Sequence, residues 1–423
     1  MKFAIESIEV SDVFDSKPIK INLSGKNLII TGGNGCGKTR FIQRIFRYVY
    51  DRVAKRDNPT VEYINSEMNR LNNDLQTVAV GSGYWSHIKS ELPRLEKKKK
   101  ELEDFRVVYL NDCEGDFLAS FHQGLSIISY FRADRQAQIN KVNSIRPLNI
   151  LKEQGKQLAM NHSYDFNDQA SKATNFEEYL ASLKQVRSFY ITEYEDAAKA
   201  EIISNWFTKL EADFRELFED DSLRLKFIAE ESSFEICQVG KEPYRFQNLS
   251  SGYASILSVY ADLIMTVEVR DISPEQLNGI VIIDEIDAHL HISLQKKILS
   301  FLTLAYKNIQ FIVTTHSPFV VMSVNDAVIY DLSKKEQVED LSMYSYNSVA
   351  KSLFDTLPLS SVLFDKINNL YKLALDKRKS PEEDVEMNEL LQEIAPHFDT
   401  LDPESQFFFN FSKVEFLKGK GEK

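Results

Sequence analysis

The apolar positions along the chain change their spacing several times, and each change marks an element. At the start they alternate or run together. Phe3–Val10, Ile19–Leu23 and Leu28–Thr31 have the spacing of β-strands. The third runs into a glycine-rich stretch, Gly32–Gly37, after which Thr39 to Tyr50 follow helical spacing with Phe41, Ile45, Tyr48 and Val49 on one face. From 58 to 104 the step becomes three and four: Ile64, Met68, Leu71, Leu75 and Val78, then Ile88, Leu92, Leu95 and Leu102, with Lys99 on the seam. Gly81-Ser82-Gly83 interrupts the pattern and suits a turn. Two antiparallel helices in a short coiled-coil hairpin are predicted, with arms of about 20 residues reaching roughly 30 Å. Such a hairpin either packs on its own domain or projects as a partner-binding arm.

Strand spacing returns at Arg106–Leu110 and Ser126–Phe131. A mostly polar, helical region follows, with the stripe Ile203, Trp206, Leu210, Phe214, Leu217 and a hairpin pattern at Leu225–Ala229 and Phe234–Val239. Ser250 to Glu268 reads as a helix with a serine N-cap, and Ile280–Ile283 as a buried strand. A helix over Leu290–Ala305 and strands at Gln310–Thr315 and Ala327–Tyr330 complete an α/β core. Beyond Asp331 the tail is acidic and helical, broken by Pro358, Pro381, Pro396 and Pro403.

Composition narrows the class. Glu6 and Glu9 interrupt the first apolar stretch, which excludes a signal-peptide core there. No run approaches the roughly 18 uncharged residues of a membrane helix, so a cytoplasmic protein without a membrane partner is expected. Cys36, Cys113 and Cys237 form no CxxC pair, which argues against a disulfide framework or a zinc knuckle. The net charge of -12 does not draw nucleic acid by its overall field, so DNA contact would need a local basic patch. Arg40, Arg44, Arg47, Arg52, Lys55 and Arg56 follow the glycine stretch and keep nucleic acid open as a partner.

Four segments carry chemistry. Gly32-Gly33-Asn34-Gly35-Cys36-Gly37-Lys38-Thr39 fits GxxxxGK[ST] between a strand and a helix. Its glycines let backbone N–H groups converge on phosphates, Lys38 reaches the β/γ-phosphates and Thr39 holds Mg²⁺. Ile280-Val281-Ile282-Ile283-Asp284-Glu285 delivers two acids to a strand end. There Asp284 can hold the magnesium's water shell, and Glu285 can take a proton from an attacking water. Leu249-Ser250-Ser251-Gly252-Tyr253 opens a helix, and Thr314-Thr315-His316-Ser317-Pro318 follows a strand. Taken singly, the last two are a capped helix and a structural histidine.

In this order the four segments resemble the ABC-type ATPases of the SMC, RecF and OLD-like branch. Gly32–Thr39 has that branch's GxNGxGKT form, and Leu249–Tyr253 resembles the ABC signature, with Ser251 where the family usually has glycine. The resemblance places Glu285 on the general base, Asp287 on the D-loop acid and His316 on the switch histidine. Asp284–His291 and Thr314–Pro318 are especially similar to small ATPases of bacterial anti-phage systems such as Septu, PARIS and some retrons. The Q-loop glutamine falls on Gln136, with Gln123 as the alternative.

The resemblance implies an α/β, ABC-type P-loop ATPase head divided into six stretches. Residues 1–57, 105–140 and 241–335 make the core, 58–104 the coiled-coil hairpin, 141–240 a helical lobe and 336–423 a helical tail. It further implies ATP and Mg²⁺ as ligands, and head-to-head homodimers or larger oligomers with Ser250, Ser251 and Gly252 pressing on the partner's ATP. No sustained heptads lie between 140 and 240, and 336–423 has no DxD, so neither a long arm nor a nuclease is expected. The expected role is a sensor or scaffold that controls a separate effector protein in anti-phage defence. A DNA-repair clamp of the RecF/SMC type and a slowly hydrolysing, nucleotide-stabilised scaffold are the alternatives.

Overall fold

Runs of branched apolar residues favour strands buried on both faces, and the sheet at the centre of this chain is built from them. The structure is a computed structural model. It describes residues 3–11, 18–54, 60–135, 139–160, 172–338, 349, 361–376, 379–401 and 403–419, divided into two compact units, Met1–Ser342 and Met343–Lys423.

In the first unit the chain order is β1 (Ile5–Val10), β2 (Ile19–Asn22), β3 (Asn27–Thr31), α1 (Lys38–Ala54), α2 (Val61–Thr77), α3 (Gly83–Glu103), β4 (Phe105–Tyr109), α4 (Glu114–His122) and β5 (Ser126–Phe131). Then come α5 (Leu148–Met160), α6 (Phe176–Thr192), α7 (Ala197–Phe218), β6 (Arg224–Ile228), β7 (Ser233–Cys237), α8 (Ser251–Val269) and β8 (Asn278–Ile283). It ends with α9 (Ile292–Gln295), α10 (Ile298–Ala305), β9 (Ile309–Thr314), α11 (Pro318–Val321), β10 (Ala327–Asp331) and β11 (Glu336–Val338).

Six strands form the central sheet in the order β11-β10-β3-β9-β8-β5, and β1 lies between β2 and β4 in an antiparallel sheet of three. From β10 to β5 every pair is parallel, so five strands end on the same edge. Only β11 runs the other way, against β10. The fold is therefore mixed α/β, with the carboxyl ends of its parallel strands gathered where open α/β sheets bind ligands. Helix α1 buries Ile42, Ile45, Phe46, Val49 and Val53 in a core shared with Ile30, Ile282 and Ile312 of the central sheet and Ile8, Phe105 and Val107 of the antiparallel one. At roughly 1.5–3 kcal/mol for each large apolar side chain, this stripe anchors the helix that starts at the glycine-rich stretch.

The tightest backbone approach in the sheet is at Gly279. Its φ is +137°, and a Cβ there would lie 2.0 Å from the Ile127 carbonyl oxygen on β5. Gly279→Ala must therefore push β8 from β5 or distort it, at an expected cost of about 2–5 kcal/mol. Urea denaturation measures this, and a midpoint equal to that of the unmodified protein would show that the approach is not constraining.

Several boundaries differ from the sequence reading. The helix expected over Leu290–Ala305 is two short helices that part at Lys296-Lys297, where the Lys297 N–H turns to the Leu294 carbonyl at 3.0 Å; beside the break Gln295 donates to the Leu290 carbonyl (2.7 Å) and accepts from the Ser317 hydroxyl (2.6 Å). Ser250 occupies the N-cap of α8, but its hydroxyl makes no capping bond. The tail expected to be helical from residue 336 begins instead with β11, because Glu336–Val338 pairs with Ile329–Asp331. Helix α8 is long and apolar enough to be compared with a membrane span, yet 78% of that window is buried within the protein. Burial on nearly all sides accounts for its composition.

Helices α2 and α3 pack against each other, and Ile64, Leu71 and Ile88 are buried on them. Thr60 and Ser82 cap them, Gly81 turns between them at φ +87°, and the Tyr84 hydroxyl donates to Asp74 at 2.7 Å. In the second unit, helices Ser361–Leu375, Pro381–Ile394 and Pro403–Gly419 pack around Ile367, Leu370, Met387, Leu391, Phe409 and Phe416. Phe408, Phe409 and Phe411 thus serve the unit's own core, while Phe407 is 60% exposed.

Candidate functional site

Because the strands are parallel, the loops after β3, β5, β8, β9 and β10 leave from one edge, and backbone bonds stitch them together. The Thr315 N–H donates to the Ile30 carbonyl, Ile286 to Thr314, Asp284 to Phe131 and Leu332 to Thr31, at 2.8–3.1 Å.

After β3 the chain takes positive φ at Gly32 (136°), Gly35 (78°) and Gly37 (97°), a path that favours glycine. Lys38, at the start of α1, is buried, and its ammonium donates to the carbonyl oxygens of Gly32 (2.9 Å) and Gly33 (3.1 Å). Asn34 and Thr39 are exposed, Cys36 half-buried. A second strand end props this loop. Asp331 accepts from the amides of Ser333 (2.9 Å) and Lys334 (3.1 Å), and the Ser333 hydroxyl accepts from Gly33 N–H at 2.8 Å. Neither Asp331 nor Ser333 stood out in the sequence, since nothing in a lone Asp-Leu-Ser marks it as a buttress for residues 300 positions away.

Asp284 is buried at the end of β8, and Thr314 at the end of β9 links it to its neighbour. The Thr314 hydroxyl donates to Asp284 Oδ1 (2.6 Å) and accepts from the Glu285 N–H (2.7 Å). Glu285 itself is half-buried at φ +44°, an uncommon conformation for a side chain with a Cβ. Asp287 accepts from the Thr315 hydroxyl (2.6 Å) and faces the His316 amide at 3.4 Å, bracing the loop that carries His316. Burial holds the His316 imidazole below its ordinary range, and the Lys38 charge adds to this against the pull of Asp287, Glu285 and Asp284. The shift favours the neutral imidazole. Burial and the nearby Asp284 raise the Tyr130 phenol, which accepts a bond from Gln43 of α1 at 3.4 Å.

The structure thus brings Lys38, Asp284, Glu285, Asp287 and His316 to one electrostatic site. Ser250 and Ser251 are exposed at the start of α8, and Gly252 is wedged against the loop after β8, where a Cβ would lie 2.7 Å from the His289 carbonyl oxygen. Among the described residues no hydrogen bond joins Ser250, Ser251 or Gly252 to Gly32–Thr39. Gln136 lies outside the described residues. Gln123 stands before β5, at the opposite edge of the parallel sheet, so it does not reach this site. Lys55 and Arg56 also lie outside the described residues. His291 caps α9 by accepting from the Ser293 amide.

Sequence reading also passed over Arg135, which is buried beneath the turn at Glu285. Desolvation lowers its guanidinium to about 10, while Asp287, Asp284 and Glu285 oppose the shift.

Beside the glycine loop opens a cavity of about 970 Å³. Its walls include Gly35–Gly37, Arg40 and Arg44 of α1, Phe105 of β4, and Leu102 near the base of α3. Arg44 stacks over the Phe105 ring at 4.7 Å, so one wall joins apolar surface to cationic charge. Among the described residues no group of three or more His, Cys, Asp or Glu side chains could cage a metal. The Thr39 hydroxyl and Asp284 carboxylate are instead hard oxygen donors, of the kind that hold Mg²⁺ together with phosphate and water.

Residues 240–323 match the family model described as "AAA domain, putative AbiEii toxin, Type IV TA system". This chain carries an AAA-family ATPase domain. The chain is homologous to "Retron Vc95 probable ATPase" of Vibrio cholerae serotype O1 biovar El Tor, 22% identical over 85% of this chain and 79% of that protein. Shorter matches link it to "Retron Ec83 probable ATPase" of Escherichia coli, 41% identical over 21% of this chain and 17% of that one. The Septu protein PtuA of Bacillus mycoides (strain KBAB4) is 34% identical over 29% of this chain and 19% of that one. The chain therefore spans about four-fifths of the Vibrio relative but less than a fifth of the other two. Among solved structures, an Smc head bound to the C-winged helix domain of ScpA aligns over 79% of this chain and 96% of that one, at 15% identity and a TM-score of 0.35.

Proposed function

We propose that this chain is a Mg²⁺-dependent ATPase whose two active sites form between two copies arranged head to head in the cytoplasm. In this reading the dimer is a switch for a separate effector protein in anti-phage defence. The observation that carries the reading is the shared site of Lys38, Asp284, Glu285 and His316 on one sheet edge, with Ser250 and Ser251 exposed and unbonded to their own chain's phosphate loop.

The donor set fits ATP. The N–H groups of Gly32–Thr39 and the Lys38 ammonium hold the phosphates, Lys38 exchanging its loop carbonyls for phosphate oxygens. Thr39 and Asp284 hold Mg²⁺, which supplies charge neutralisation for the phosphates when bound. Gln136 completes the set as the Q-loop residue. Glu285 takes the proton as water attacks the γ-phosphorus. The new P–O bond forms as the bond to the β–γ bridging oxygen breaks, and ADP leaves. Neutral His316 faces the γ-phosphate as a donor, held in place by Asp287. Ser250, Ser251 and Gly252 offer hydroxyls and the positive end of α8 to the partner's ATP. ATP then binds the closed dimer better than the open one, and hydrolysis releases it.

The test mixes two inactive proteins. In Ser251→Arg, at an exposed position, every signature is damaged, and in Lys38→Ala every phosphate loop. Heterodimers contain one intact composite site, so ATPase activity should return to a fraction of the unmodified rate. A crosslink engineered between residue 251 and the opposing glycine loop should form only with ATP. Background activity together with no crosslink would overturn the two-chain site.

A further inference from the structure

Three successive backbone carbonyls in the turn after β8 point at one guanidinium. Arg135 Nη1 donates to the carbonyl oxygens of Asp284 (2.7 Å) and Glu285 (3.3 Å), and Nη2 to those of Glu285 (3.3 Å) and Ile286 (3.0 Å). Nη1 also reaches Arg132 O at 3.1 Å, closing the loop from which Arg135 projects. The side chain is 9% exposed. The charges of Asp287, Asp284 and Glu285 act on it, yet among the described residues no salt bridge pairs it with one; both Nη groups are spent on backbone, while Nε is buried without a partner there.

Carbonyls of consecutive residues diverge in a strand and align along the axis in a helix. Gathering three of them on one point needs an unusual backbone path and a donor with a fixed fork, and guanidinium has that fork where ammonium does not. The unusual path is present: Glu285 sits at φ +44°, a conformation that costs about 1–3 kcal/mol unless its surroundings hold it. On the other side, Thr314 holds the same turn through the Glu285 N–H and the Asp284 carboxylate. The turn is thus clamped by Arg135 on its carbonyls and Thr314 on its amide, and the direction of the Glu285 side chain follows from that clamp.

We infer that Arg135 is a positioning residue for ATP hydrolysis, fixing the backbone turn that aims the Glu285 carboxylate. The inference rests on Glu285 being the base. It predicts a split between chemistry and binding, because the turn is distinct from the glycine loop that holds the nucleotide.

Arg135→Met should lower kcat roughly 10–100-fold, the effect of displacing a catalytic group by about an ångström. Its Kd for ATP should stay within about threefold of the unmodified protein. Amide hydrogen exchange should rise at residues 285 and 286 while the sheet stays protected. Arg135→Lys keeps the charge but loses the fork, so its kcat should lie between the two. Unchanged kcat in a folded Arg135→Met protein overturns the inference. So does an equal loss of kcat and ATP affinity, which marks a general scaffold role. If the methionine variant does not fold, the lysine variant decides: full kcat in it also overturns the inference. Failure of the ATPase reading itself would show separately, as an unmodified protein that does not hydrolyse ATP, whatever exchange at 285 and 286 reports.

Discussion

Lys38→Ala is expected to weaken ATP binding at least about a hundredfold, the loss of roughly 3 kcal/mol of charge-assisted bonds to phosphate. The geometry gives the side chain few alternatives. Its stem is buried, and its ammonium is already held over the mouth of the loop by Gly32 and Gly33. A second readout comes free with the variant. The Lys38 charge helps depress the His316 imidazole, so removing it should raise that group's pKa toward the ordinary histidine range. Nucleotide titration gives the first result and an NMR pH titration of the imidazole the second. Wild-type affinity would remove Lys38 from the phosphate site, and an unmoved imidazole would separate the two loops electrostatically.

Glu285→Gln is expected to keep ATP binding but slow turnover by about 10²–10⁴-fold, the range for loss of a positioned base. Glutamine preserves shape and leaves the main-chain turn its bonds to Thr314 and Arg135, so the loss should be chemical. With hydrolysis blocked, ATP should hold the closed pair, and the variant should run as a dimer in size-exclusion chromatography with ATP and as a monomer without it. Normal turnover would sink the assignment of the base. Slow turnover without the ATP-dependent dimer would leave the base in place and refute the head-to-head assembly.

The parts of this protein visible in its sequence are those written in short-range patterns. Leu28–Thr31 and Ile280–Ile283 are unbroken apolar runs, the heptads of 64–102 repeat, and the glycines of 32–37 sit beside Lys38. Each signal is complete within about twenty residues. Arg135 and Ser333 carry no such signal, because each acts by a hydrogen bond to backbone across a gap of 149 to 300 positions. A buried arginine held by carbonyls looks, in sequence, like any loop arginine. The end of the Leu290–Ala305 helix pattern was hidden for a related reason. Its apolar spacing steps from Leu294 to Ile298 without a gap, while the backbone between them, at Lys296 and Lys297, leaves the helix. Likewise β11 is three polar residues whose strand character comes only from an edge to pair with.

The position of β3 in the sheet also sets an order of events during synthesis. Its neighbours are β9 and β10, whose paired residues lie nearly 300 positions downstream: Ile30 with Thr314, and Thr31 with Asp331. The strand that ends in the glycine loop therefore leaves the ribosome long before either flank exists. At about 5–20 residues per second this interval lasts roughly 15–60 s. Throughout it Leu28, Ile29 and Ile30 have no sheet to enter, and the loop they support cannot take its final shape. On the proposed function, a newborn chain should be insensitive to nucleotide until almost the whole first unit has emerged. Shortening that delay, by circular permutation that places β3 after β9, should speed acquisition of the folded state without altering the site.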